Sequence, residues 1–411
     1  MMISEPLSQY EEILKNAIRA SMKESGAKLA KTFQTLLIEI LTLYMILPRK
    51  INFTQMARYG KHGEQTYRQN FNRKKKDCID WLLLNLSLAR RVLDMDGLLA
   101  IAIDPCYISK AGKKTPHIGQ FWSGCAGAVK HGLEIMGIGL LDVANNKCMM
   151  LRAHQTIGNS ALKMRNKTLV EYYISVMKRY SKKLLSITDI VVADAFFSTS
   201  TFEKGMSELG FYLVSRFRDN VCLHYIPKRE KRRGRPRVKG DKIDLANLNL
   251  SCMEELHIDG LDGKAYTLEA YAKALKKRVR LVIWRMPGGK CKLFFSTKLS
   301  MTGEEVLKTY RTRFQIEFCY RDSKQFTGLM DCQARHKSQL DFAFNASFAS
   351  LNAAKVFMKD NGMDNSMAKV KSLMFKANYT KLIFDMSRCR PNRTLISKIV
   401  KELIGWQPKA A

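Results

Sequence analysis

Two short apolar runs that each end on an acid constrain this chain most: LLAIAID at 98–104 and IVVAD at 190–194. Runs of this length, bounded by turn residues, read as buried strands. Pro105 follows the first run and is read as its end. Leu133–Asp142 and Lys147–Leu151 read as a hairpin around Asn145-Asn146. Asn159–Tyr180 reads as a helix, Thr199–Leu209 as a helix closed by Gly210, and Phe211–Arg216 as a strand. Three strands, a helix, a strand, a helix and a strand predict a mixed α/β core.

The flanks have a different texture. Residues 1–97 read as helical, with Leu36, Leu37, Ile40, Leu41, Tyr44 and Leu47 at helical spacing before Pro48. Asn52–Arg73 reads as two short helices around a turn at Gly60–Gly63, the pattern of a helix-turn-helix. Residues 218–298 read as a β-rich basic insertion, with strands at Tyr266–Ala272, Val279–Trp284 and Cys291–Ser296. Thr302–Lys324 reads as one helix opened by a Thr302/Glu305 capping box, and the chain from Gln339 reads as helical.

Charge speaks to partners. The 411 residues carry 70 Lys+Arg against 37 Asp+Glu, a formal net charge of +33, which attracts polyanions. Between Arg58 and Lys76 there are seven Lys/Arg and one acid, so 52–73 reads as a DNA-binding head or as a solvated basic face. The N-terminus lacks a basic segment followed by an apolar one, and Leu36–Leu47 is too short to span a bilayer. A cytoplasmic protein is expected. The ten cysteines include no pair within four residues, which argues against zinc fingers and redox pairs. Any metal is therefore expected on carboxylates.

Phosphodiester chemistry on a polyanion commonly uses hard divalent cations held by two or three carboxylates. Asp104 and Asp194 close apolar strands, and a buried strand end rarely carries an unpartnered acid. Each also reads as a turn residue or a helix N-cap. A third acid comes from the helix at 302–324. Tyr310, Arg313 and Lys324 lie at −7, −4 and +7 from Glu317, within roughly 60° on the helix surface, and Arg321 sits on the same side. That face reads as a metal-binding carboxylate among phosphate-binding groups, or as a salt-bridged solvent face.

The spacing Tyr-x2-Arg-x3-Glu-x6-Lys, at Tyr310, Arg313, Glu317 and Lys324, resembles the YREK signature of DDE transposases of the IS-four family of bacterial insertion sequences. IAIDPCYISKAGKKTPHIGQFWSGCAG and VVADAFFS resemble that family's two aspartate regions. The resemblance implies an RNase H-like mixed-sheet catalytic core in two parts, 98–217 and 299–358, around the insertion at 218–298. A helical DNA-binding domain at 1–97 and a helical region at 359–411 would flank it. It implies Asp104, Asp194 and Glu317 as catalytic residues holding two Mg²⁺, with Mn²⁺ able to substitute. Tyr310, Arg313 and Lys324 would bind phosphates. The implied activity is cleavage at the terminal inverted repeats and joining of the 3′-hydroxyl ends to target DNA. The implied partners are double-stranded DNA and a second copy in a synaptic homodimer, in the bacterial nucleoid.

Further DNA contacts are expected beyond the signature. Gly234-Arg235-Pro236-Arg237 resembles an AT-hook core, which places Arg235 and Arg237 in a minor groove; the same residues also read as a basic loop on phosphates. Lys110, Lys113 and Lys114 leave the first acidic strand and are expected on phosphates. Trp284 and Trp122 read as stacking residues for an unpaired base, or as packing residues of a β layer. The rival functions are a catalytically silent DNA-binding regulator and an RNase H-like nuclease without strand transfer.

Overall fold

The computed structural model describes residues 4–72, 79–227, 237–363, 366–387 and 392–406. The chain opens with helices α1 (Glu5–Ser25), α2 (Lys31–Ile46), α3 (Phe53–Tyr59), α4 (Glu64–Phe71) and α5 (Trp81–Val92). α1 buries Leu7, Tyr10, Leu14, Ala17 and Ile18, the apolar stripe of an amphipathic helix. It ends where Gly26 takes φ 71°, a left-handed conformation that costs glycine nothing. Asn52 caps α3 through the Gln55 N–H, and Asp80 caps α5 through the Leu83 N–H.

Strands follow: β1 (Leu99–Ser109), β2 (Gly119–Ser123), β3 (Ala128–Asp142) and β4 (Lys147–Gln155). Helices α6 (Asn159–Met164) and α7 (Leu169–Leu185) lead to β5 (Ile190–Val192), α8 (Ser200–Glu208) and β6 (Tyr212–Arg216). Next come β7 (Leu223–Tyr225), β8 (Glu254–Leu256), β9 (Lys264–Ala272), β10 (Lys277–Arg285) and β11 (Cys291–Ser296). The chain closes with α9 (Gly303–Thr312), α10 (Gln315–Phe326), α11 (Lys337–Asp360), α12 (Met367–Ser387) and α13 (Arg393–Lys398). Among the described residues the strands form one eleven-stranded sheet in the order β2-β3-β1-β5-β6-β11-β10-β9-β7, with β4 on β3 and β8 on β9. β1 runs antiparallel to β3 and parallel to β5, and β5 runs parallel to β6. This is a mixed α/β fold with a large mixed sheet. Strands of the 218–298 segment extend that sheet, because β11 pairs with β6.

Three expected boundaries move. β1 does not stop at Pro105 but runs on to Ser109. Beyond Ala102 it is registered only with β3, so alternate residues there have no ladder bond to lose and a proline is tolerated. The expected helix over 159–180 is two helices. The second starts at a capping box in which Thr168 and Glu171 satisfy each other's backbone N–H groups. The expected helix over 302–324 is also two. Phe314 N–H bonds to Arg311 O, Ile316 N–H to Arg313 O and Glu317 N–H to Phe314 O, the i to i−3 spacing of a tightened turn.

Among the described residues β4 pairs with no strand on its outer side, and helices cover that edge. Asn352 accepts from Met150 N–H and donates to Met150 O, and Asn345 does the same for Ala153. Asn85 donates to Leu151 O, and the Lys355 ammonium to Cys148 O. Helix side chains thus replace a neighbouring strand, satisfying backbone groups that burial would otherwise leave unpaired. They lock α11 and α5 across the sheet. α10 packs on β4, β1 and α11 within that frame.

Candidate active site

Asp104 lies inside β1, and Asp194 stands two residues past the end of β5. Ala102 is in register with Val192, so each acid stands two residues past the same rung on adjacent parallel strands. Neighbouring strands lie about 4.8 Å apart, which brings the two carboxylates into one neighbourhood. Asp194 is also an N-cap: its Oδ1 accepts from Phe196 N–H at 3.0 Å, leaving Oδ2 for another partner. The N-cap reading of that residue therefore holds.

Glu317 arrives on the first turn of α10, and Arg313 at the break before it ties the acids together. Its guanidinium lies 3.0 Å from Glu317 Oε1 and 3.5 Å from Asp104 Oδ1. The Arg313 and Asp104 side chains are only 11% and 19% exposed, so that contact is better shielded from water and salt than a surface ion pair, while Glu317 stays 39% exposed. Burial pushes the Asp104 carboxyl up to about 7; Arg313 opposes that rise, and Asp194, Glu317 and Glu134 add to it. The site thus concentrates more negative charge than Arg313 alone offsets.

α10 is held to β1 at the acid itself. The Tyr320 hydroxyl donates to the backbone carbonyl of Asp104 at 2.5 Å. Gly137, opposite Asp104 on β3, makes room for it. A Cβ there would stand 2.0 Å from the Tyr320 hydroxyl, far inside contact distance. Glu134, also on β3, is a buried acid whose carboxylate accepts from the Tyr173 hydroxyl at 2.6 Å. Neither Tyr320 nor Glu134 carries a readable sequence signal, since each owes its place to tertiary packing.

The expected phosphate ligands divide. Tyr310 packs on Phe294 with ring centroids 5.0 Å apart, and the Arg313 guanidinium lies over its ring. Burial raises the Tyr310 phenol, Arg313 and Arg216 draw it down, and Asp194 raises it. Arg216 stands two residues past the Val192–Val214 rung of β5 and β6, as Asp194 does. The Nε atoms of Arg216 and Arg313 are buried with no hydrogen-bond partner among the described residues. Lys324 lies against the Cys106 thiol on β1, two residues past Asp104. Arg321 pairs with Asp322 and covers the Phe318 ring, and it forms no ion pair with Glu317.

Lys110 donates to the Cys332 carbonyl and so ties the loop after β1 to the loop after α10. Lys113 and Lys114 are exposed in that first loop. Trp122 is 60% exposed on β2 and presents an open ring face. Trp284 is half-buried: its indole N–H donates to Asp262 O at 2.6 Å, and the Lys292 ammonium lies 5.1 Å from its ring centroid. Arg237 is exposed, and Arg235 lies outside the described residues. Phe196, Phe314 and Phe318, near the acids in sequence, are exposed aromatics that pattern reading passed over.

The model of DDE superfamily endonucleases matches residues 27–271. The chain belongs to this family. Among curated proteins no sequence matches it. The matched segment includes Asp104 and Asp194 and stops short of Glu317. Membership makes DNA the implied substrate and nuclease or transposase chemistry the activity. Among the described residues no helix is long and apolar enough to cross a membrane. The cysteines among them are free.

DDE endonucleases typically use divalent metal ions. Among the described residues no group of three or more His, Cys, Asp or Glu side chains stands close enough to hold one. The donor set nevertheless suits such an ion in kind. Carboxylate oxygens are the ligands that Mg²⁺ and Mn²⁺ prefer, and a carboxyl raised to about 7 by burial, with further acids adding to the rise, is one whose charged form a divalent ion favours.

Proposed function

We propose that this DDE endonuclease is a transposase of the IS-four type with an RNase H-like core. It would bind the terminal inverted repeats of an insertion sequence, cleave there and join the 3′-hydroxyl ends to target DNA. The observation that carries the reading is the pairing of Asp104 and Asp194 past one rung of parallel β1 and β5, with Arg313 linking Asp104 to Glu317. Asp104, Asp194 and Glu317 would hold two Mg²⁺. When bound, these ions supply charge neutralisation and activation of the attacking oxygen.

The chain's own groups have separate tasks. Arg313 and Arg216 supply guanidinium charge beside a scissile phosphate, opposing the charge that develops on its oxygens. Tyr310 adds a neutral donor on the same side, and Lys324 a cation farther along β1. Tyr320 and Gly137 hold α10 in place, so that Glu317 keeps its distance from Asp104. Residues 1–97, with α3 and α4 as the helix-turn-helix, serve as the DNA-binding domain. Lys110, Lys113, Lys114 and Arg237 bind backbone phosphates, and Trp122 and Trp284 stack on unpaired bases. Two copies pair the two ends before joining, in a bacterial nucleoid.

A joining assay tests this reading. Purified protein, Mg²⁺ and a labelled duplex with a recessed 3′-hydroxyl terminal-repeat end are mixed with supercoiled plasmid. Covalent transfer of label to the plasmid is expected, with Mn²⁺ able to replace Mg²⁺ and with no transfer by Glu317→Gln. Nicking of the duplex without transfer would establish the nuclease without strand transfer instead. Binding with neither reaction would establish a silent regulator.

A further inference from the structure

Two adjoining clefts outside the acid cluster form one groove, since both are lined by Asp331, Cys332, Gln333 and Arg335. The first is walled by α4. Gln65, Arg68 and Gln69 line it at spacing i, i+3 and i+4, with Asn72 at the C-cap just past the helix, and all four are exposed. Residues so spaced share one helix face. The opposite face of α4 buries Tyr67, Asn70 and Phe71, which fixes which way the helix points. Arg68 pairs with Glu64 and lies over the Phe53 ring, and the Ser338 hydroxyl donates to Asn72 Oδ1 at 3.3 Å. The Gln65 and Gln69 amides make no side-chain hydrogen bond among the described residues.

The second cleft is lined by Lys50, Lys110, Lys113, Lys114 and Arg335, against one acid, Asp331. Asp331 is committed elsewhere, accepting from Ile51 N–H at 2.8 Å. Lys50, Lys113, Lys114 and Arg335 are exposed and form no ion pair among the described residues. These cations come from three separate segments: the link after α2, the loop after β1 and the loop after α10. The last two follow the elements that carry Asp104 and Glu317. From Asp104 to Ser109 β1 spans about 16 Å, the rise of about five base pairs.

An uncompensated cationic trough beside a helix face of amides fits one ligand: a DNA duplex with one strand's backbone in the trough. Glutamine and asparagine pair with adenine edges in the major groove, and lysine and arginine hold phosphates. We infer that the groove seats one strand of the duplex and that α4 reads bases beside it, through Gln65, Gln69 and Asn72. Lys50, Lys113, Lys114 and Arg335 hold the backbone. The inference rests on the DNA-cleaving reading above, and it assigns sequence selection to α4 rather than to the basic 228–239 segment.

Selection from a library of random duplexes tests it, with the full chain as wild type, as Gln65→Ala/Gln69→Ala and as Lys50→Ala/Arg335→Ala. Circular dichroism melts establish that each variant is folded, and Mg²⁺-dependent plasmid nicking is scored on the same preparations. The wild type is expected to enrich a consensus. The glutamine variant should lose it at one or two neighbouring positions, with preference for consensus over scrambled duplex falling about five- to a hundred-fold. The Lys50/Arg335 variant should keep the consensus, bind both duplexes about equally more weakly, and show a salt dependence shallower by about two phosphates. An unchanged consensus and preference in the glutamine variant overturns the inference, as does a wild type that enriches none. Either result with nicking intact leaves the cleavage reading standing; loss of both nicking and binding in the wild type removes that reading as well.

Discussion

At the scale of single residues, Asp104 carries the most physical information. Its carboxyl titrates at about 7 in the folded chain, against 3.8 for an unperturbed aspartate, chiefly through burial. Between those two values the unfolded chain has released its proton while the folded chain keeps it. Folding is therefore penalised progressively as pH rises through that window, with the full penalty above pH 7. Asp104→Asn removes the ionisable group. We expect it to stabilise the metal-free protein at pH 8 by on the order of 1–4 kcal/mol, with little gain at pH 4. Thermal melts across pH check this. Added Mg²⁺ should raise the melting temperature of the wild type more than that of Asp104→Asn, since an ion that binds only the folded site stabilises it.

At the scale of elements, α10 decides whether three acids become one site. It is docked by the Tyr320 hydrogen bond to the Asp104 carbonyl and by the space left at Gly137. Tyr320→Phe deletes only that hydroxyl. It should cost about 1 kcal/mol of stability, yet lower the turnover of DNA cleavage about ten-fold with DNA affinity unchanged. Turnover measured beside duplex binding separates positioning from a general loss of structure. Part of this geometry was legible in sequence and part was not. The acids after apolar runs pointed to β1 and β5, and the offsets between Arg313 and Glu317 anticipated their ion pair, because strand ends and i,i+4 pairs are local. The break at Arg313-Phe314 was hidden, since no glycine or proline marks it. Tyr320 against Gly137 was hidden too, as was the covering of β4 by Asn345 and Asn352, because residues distant in sequence meet there. The Thr168/Glu171 capping box was in plain view and was overrun by a helix read as continuous.

At the scale of the whole molecule, a chain of net charge +33 sets Asp104 among Asp194, Glu317 and Glu134, a group of acids that by themselves repel an anion. The surrounding cations draw DNA in from a distance, an attraction that salt weakens. The acids create the local need for a divalent ion. The sheet makes the two compatible: its parallel centre aligns Asp104 with Asp194, while the loops after β1 and α10 carry the groove cations outward. The central claim is that Asp104, Asp194 and Glu317 form a single metal-dependent cleavage centre. The most direct measurement is Mg²⁺-dependent nicking of supercoiled plasmid by the wild type and by Asp104→Asn, Asp194→Asn and Glu317→Gln, each shown to be folded and to bind DNA. The account predicts that each substitution alone lowers the nicking rate at least about a thousand-fold, and that the double variant Asp104→Asn/Glu317→Gln is little worse than either single one. Nicking at near wild-type rates by any one of the three would contradict it.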